Sequence, residues 1–62
     1  MSVVKKRICI VEDKNDLREG MNLMVEMASQ YELAGSFANA EEAMRKIPAL
    51  QPDAVLMDIN LP

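Results

Sequence analysis

Glu12 and Asp13 close the apolar run Arg7–Val11, and Asp58 closes Ala54–Met57. Carboxylates that end two strand-like runs are the residues of this chain best placed to do chemistry. In an open parallel α/β sheet, ligands sit beyond the carboxyl ends of the strands, near the point where strand order reverses. Acids from two adjacent strands would meet there. Two carboxylates ~5 Å apart repel by on the order of 3 kcal/mol at an effective dielectric of about 20, so the pocket needs a compensating charge. A divalent cation supplies it, and Mg²⁺ takes one or two carboxylates, a carbonyl and several waters. Such a site accepts a phosphoryl group, and a carboxylate held beside it can act as nucleophile in an acyl-phosphate reaction. The competing reading of Glu12 and Asp13 is structural, because acids at strand ends also serve as turn residues and helix starts. For Asp58 that reading is weaker, since an acid directly after Ala-Val-Leu-Met has little to do with solvation.

Other chemistries lack raw material. The chain has 62 residues, no histidine and one cysteine, which leaves zinc binding and Cys/His nucleophilic catalysis without ligands or partners. Gly20 and Gly35 are the only glycines, so no phosphate-cradling glycine loop exists. Asp58-Ile59-Asn60 begins like a calcium loop, but its glycine and closing glutamate would fall beyond Pro62. A net charge of −3 argues against direct nucleic-acid contact, and Lys5-Lys6-Arg7 reads as a solvated lead-in to a strand. The apolar runs are too short for a membrane span or a signal-peptide core. Cys9 reads as a small buried apolar residue, in keeping with a reducing, cytoplasmic setting.

The elements that must position the acids follow from hydropathy patterning. Half of the residues are hydrophobic and 27% charged, as in a globular protein, and no linker divides the chain, so one domain over residues 1–62 is expected. A domain of this size buries only roughly 60% of the surface that its unfolded chain exposes. Arg7–Glu12 is β-branched and apolar on consecutive positions, which predicts a strand covered on both faces. A helix follows, with Asn15 as N-cap and a stripe of Leu17, Met21, Met24, Val25 and Ala28 running to about Ser29; Met21 and Met24 read as core filler. Tyr31–Phe37 is a weaker strand, plausible as an edge, anchored by Leu33 and Phe37. Asn39 with Glu42 resembles a capping box and opens a second helix carried by Ala40, Ala43, Met44 and Ile47, with Glu41 and Glu42 favoured by the dipole. Pro48 should end or kink that helix near Ile47. Gln51-Pro52-Asp53 is a turn, and Ala54–Ile59 a third buried strand. Strand, helix, strand, helix, strand implies right-handed βαβ units and a parallel sheet, an α/β fold.

Ile8–Asp13 (ICIVED), Leu17–Gly20 (LREG), Asn39–Met44 (NAEEAM) and above all Gln51–Pro62 (QPDAVLMDINLP) resemble the response-regulator receiver family of two-component signalling. The resemblance covers essentially the whole chain, and Asp13 and Asp58 stand 45 residues apart, which suits that family. It implies a flavodoxin-like sheet with the first three strands ordered 2-1-3. Asp58 matches the aspartate that receives a phosphoryl group from a histidine kinase or phosphotransfer protein. Asp13 matches the direct Mg²⁺ ligand, Glu12 the second acidic position, which can act through water, and Asn60 the position whose backbone carbonyl completes the metal shell. Lys14 is a candidate for modulating access to the phosphoryl group. The wording of Leu17–Gly20 and Asp58–Pro62 leans toward regulators of transcription with a helix-turn-helix output domain.

A whole receiver has five strands and five helices over about twice this length. The expectation is therefore the N-terminal half of a receiver domain, without the hydroxyl residue, switch aromatic and lysine that read the phosphoryl group. On that expectation the half-domain is not an enzyme, and it does not switch by itself. Its third strand, next to the first, would have an open outer edge, which predicts completion by self-association, most simply as a homodimer. An aspartate-nucleophile phosphatase is the remaining alternative. That class wants a second aspartate where this chain has Asn60, and it leaves the acidic pair unexplained.

Overall fold

The computed structural model describes residues 4–57. In chain order they form β1 (Lys6–Val11), α1 (Asn15–Met27), β2 (Tyr31–Phe37), α2 (Ala40–Leu50) and β3 (Ala54–Met57). All strand pairs are parallel and the sheet order is β2-β1-β3, which is the truncated flavodoxin-like arrangement expected. The chain steps from β1 to β2 in one direction and from β2 past β1 to β3 in the other. Right-handed crossovers in opposite directions put their helices on opposite faces. The core divides accordingly: Ile8 and Ile10 pack with Val25, Met21 and Leu33 under α1, while Cys9 and Val11 pack with Phe37, Ala43, Ile47 and Leu50 under α2. Period-two alternation along β1 thus feeds both cores, and residues 8–11 are all buried.

β2 contains an irregularity that its sequence pattern hides. Ile8 pairs with Leu33 but Cys9 pairs with Gly35, so Ala34 is an extra residue in the ladder. One inserted residue turns every later side chain to the opposite face. Leu33 therefore packs under α1, whereas Phe37 reaches the α2 core and Ser36 turns to α1, where its hydroxyl donates to Asn22 Oδ1 at 2.8 Å. The two expected anchors both hold, on different faces. Beside the bulge, a Cβ on Gly35 would lie 2.9 Å from both Leu50 Cδ1 and Phe37 Cζ, so these side-chain ends would have to shift to admit one.

Four local expectations are corrected. Lys14, not Asn15, occupies the N-cap of α1, without a side-chain capping bond, because the chain turns helical one residue earlier, at Asn15, whose side chain engages Arg18 instead. α2 runs through Pro48 to Leu50. The hydrogen bond that proline forgoes would be to the carbonyl of Met44, whose side chain is exposed, and water can serve that carbonyl. Asn39 does cap this helix, accepting from the Glu42 N–H at 2.8 Å, and Gln51 ends it with φ 48°. Met24 is 73% exposed and Met44 75%, so neither fills the core; at this size each helix buries little more than one residue, Val25 or Ala43. β3 is not buried: all four described residues are exposed, because β3 lies at the sheet edge beside β1 and neither helix packs over it.

Arg7 also departs from a merely solvated lead-in. It is half-buried, and its Nη2 donates to the carbonyl of Leu50 at 2.9 Å while Nη1 meets Glu32 at 3.4 Å. It ties the start of β1 to β2 and to the C-terminal end of α2, where a cation is favoured by the helix dipole.

Candidate functional site

The acids lie where the parallel topology requires, at the carboxyl end of β1. Glu12 is 3% exposed, a buried carboxyl, and its backbone N–H continues the ladder by donating to the Phe37 carbonyl at 3.0 Å. Its Oε2 accepts from the Lys14 N–H at 3.0 Å, which folds the side chain back over the loop that leads into α1. Asp13, in the bend that follows, is exposed. Adjacent acids therefore have different surroundings: one is held inside by backbone donation, and the other faces solvent. Lys14 is exposed beside them.

Arg18, in the first turn of α1, is the residue holding this loop that sequence reasoning passed over. Its Nη1 donates to the Glu12 carbonyl at 2.8 Å, and its Nη2 donates to Asn15 Oδ1 at 2.6 Å. The signal was present in the three-residue spacing of Asn15 and Arg18, which places the two side chains together on the first turn of a helix.

β3 runs parallel to β1, toward this loop. Ile8 pairs with Ala54, Cys9 with Val55, Ile10 with Leu56 and Val11 with Met57, so the described part of β3 ends level with the last residue of β1. Asp58 and Asn60 lie outside the described residues. Among the described residues no group of three or more potential metal ligands is assembled. What they do contribute, Glu12 and Asp13, is an all-oxygen donor set, which suits a hard cation such as Mg²⁺.

Cys9 is fully buried, and burial raises its thiol pKa above the ordinary value of 9.0, with Arg7 acting weakly in the opposite sense. It is a core residue, as expected, and a neutral thiol is a poor nucleophile. Among the described residues no helix is long and apolar enough to cross a membrane.

Comparison with known proteins gives one family. The model of the response regulator receiver domain matches residues 8–62. The chain is 36% identical over 58 residues to a protein-glutamate methylesterase/protein-glutamine glutaminase of Syntrophomonas wolfei, covering 94% of this chain and 16% of that protein. It is 38% identical over 56 residues to the transcriptional regulatory protein YdfI of Bacillus subtilis, covering 90% of this chain and 26% of that one. A probable C4-dicarboxylate response regulator, DctR of Halalkalibacterium halodurans, is also 38% identical, with 90% and 24% covered. The chain thus spans about a quarter or less of the length of these relatives. No solved structure matches it. Relatives that differ in their remaining length share this stretch, a signalling module rather than an enzymatic one, and the chain belongs to the response regulator receiver family.

Proposed function

We propose that this chain is the N-terminal, phosphoacceptor half of a receiver domain, in which Asp58 takes a phosphoryl group from a phosphorylated histidine of a kinase or phosphotransfer protein. One observation carries the reading: β3 pairs with β1 in the register that sets Met57 beside Val11. Asp58 follows Met57 and Glu12 follows Val11 in the chain. The two acids are thus the next residues in the chain after a pair of residues aligned across two neighbouring strands.

In the transfer, a carboxylate oxygen of Asp58 attacks phosphorus and the phosphorus–nitrogen bond to the donor imidazole breaks. The product is an acyl phosphate, and the departing nitrogen keeps the electron pair. Glu12, Asp13, Asp58 and the backbone carbonyl of Asn60 would hold Mg²⁺, whose chemistry here is to offset the charge of carboxylates and phosphoryl oxygens brought together. Glu12 is anchored inward by the Lys14 N–H, and Asp13 is left open to solvent and thus to a ligand. The setting is cytoplasmic, and the output belongs to the rest of the parent protein. Relatives named as transcriptional regulators favour control of transcription, without nucleic-acid contact by this acidic segment.

The test is to incubate the 62-residue chain with Mg²⁺ and a small acyl phosphate or a phosphorylated histidine kinase domain. The expected result is one phosphoryl group per chain by intact mass, labile to hydroxylamine and absent from Asp58→Asn. Hydroxylamine-stable label, or equal label on the variant, would overturn the assignment.

The exposure of β3 favours a second reading, that two copies associate through this strand. Val55, Leu56 and Met57 are 39%, 43% and 47% exposed although the run is apolar, and β1 is the only described strand with which β3 pairs. Pairing about a twofold axis would give each β3 a second neighbour.

A further inference from the structure

Arg18 makes two of the hydrogen bonds that hold the loop between β1 and α1. Its guanidinium reaches back six residues to the Glu12 carbonyl through Nη1 and three residues to Asn15 Oδ1 through Nη2. Another is the bond from the Lys14 N–H to the Glu12 carboxylate. Residues on both sides of Asp13 and Lys14 are therefore clamped to one rigid, half-buried side chain. A planar guanidinium can satisfy two acceptors at fixed separation, and a lysine ammonium offers no such fork.

The choice of acceptors has a consequence for the acids. Both bonds go to neutral oxygens, a peptide carbonyl and a side-chain amide. Had the guanidinium taken the same grip through the carboxylate of Glu12 or Asp13, it would compete with a cation for the same lone pairs. By holding the backbone instead, it fixes where the two side chains depart, with Glu12 turned inward and Asp13 outward. We propose that Arg18 is a positioning residue of the phosphoryl site: it locks the Glu12–Lys14 loop, through a backbone carbonyl and the Asn15 amide, in the conformation that presents Asp13 to the cation. The metal part of this proposal rests on the function proposed above, whereas the locking of the loop does not.

The experiment compares wild type, Arg18→Met, Arg18→Lys and, as a control on an exposed face of α2, Arg45→Met. Amide hydrogen exchange is followed by NMR without metal, and Mg²⁺ is then titrated with the Asp13 and Lys14 amide shifts as readout. Arg18→Met is expected to speed exchange of the Lys14 amide by about tenfold while the Ile10 and Val25 amides keep their protection. It should also weaken Mg²⁺ binding by about tenfold, the scale on which residues that orient metal ligands act. Arg18→Lys keeps the stem and the charge but cannot span both acceptors, so it should show the same local change and regain only part of the affinity. If Arg18→Met does not fold, Arg18→Lys decides alone. Unchanged exchange at Lys14 in the folded variants, or an equal rise at Ile10 and Val25, would overturn the proposal. Wild type that fails to bind Mg²⁺ would sink the metal reading of the site, and the exchange pattern would still decide the role of Arg18.

Discussion

Arg7 and Asp53 exchange two hydrogen bonds of 2.7 Å: the Arg7 N–H donates to Asp53 Oδ2, and the Asp53 N–H donates to the Arg7 carbonyl. The pair fastens the entrance of β3 to β1, just before the register that brings Ala54 beside Ile8. A residue read from sequence as a plain turn acid thus helps to set the alignment of the two strands that lead to the acids.

Asp53→Ala should therefore cost about 1 kcal/mol, the usual size for one lost hydrogen bond at a partly exposed site. Urea denaturation measures it. Hydrogen exchange should locate the change at the Arg7 amide, and an unaltered Arg7 amide would show that β3 is held by its ladder alone.

Cys9 predicts an alkaline limit to stability. Its folded pKa lies above 9.0, so the folded state keeps a proton that the unfolded state releases. That contribution is fully present below about pH 9 and is lost as pH rises through the folded pKa. Unfolding followed from pH 8 to pH 10.5 should show stability falling across the upper half of that range, and Cys9→Ala should flatten the Cys9 share of the slope. The thiol should also resist alkylation until the chain unfolds.

Mg²⁺ affinity should depend on Asp13 and Asp58 together. Loss of residues that merely orient ligands already costs 10–100-fold in affinity, so Asp58→Asn or Asp13→Asn should weaken binding by at least about tenfold. Calorimetric titration of both variants checks this, and unchanged affinity for Asp58→Asn would refute a site shared between the two strand ends.

Self-association through β3 predicts a concentration-dependent dimer in sedimentation. Leu56→Lys, which puts a charge on an exposed strand at the sheet edge, should shift it to monomer. A well-folded wild-type monomer of about 7 kDa at micromolar concentration would exclude the dimer.

Several features were legible in the residues because they depend on local patterns. Consecutive apolar residues at 8–11 announced a strand buried on two sides, and Asn39 with Glu42 announced a capped helix; both are found. The position of the acidic pair just past β1 was legible for the same reason. The bulge at Ala34 was not, since it lies in how β2 pairs with β1, strands that are distant in sequence. Of the Arg18 clamp, only the bond to Asn15 was legible from spacing; the other partner is a backbone carbonyl that side-chain chemistry does not mark.

By itself the sequence determined the order of elements and the parallel α/β class, because hydrophobic period and capping chemistry act within a few residues, and its motifs carried the resemblance to the family. Tertiary structure decided which apolar residues are buried. Val55, Leu56 and Met57 carry the same strand pattern as residues 8–11, yet they stay exposed because β3 lies at the edge with no helix over it. It also decided how the acidic pair divides. Glu12 and Asp13 are equivalent as neighbouring carboxylates, and only the closure of the loop, through the Lys14 N–H and the Arg18 guanidinium, turns one inward and leaves the other facing solvent.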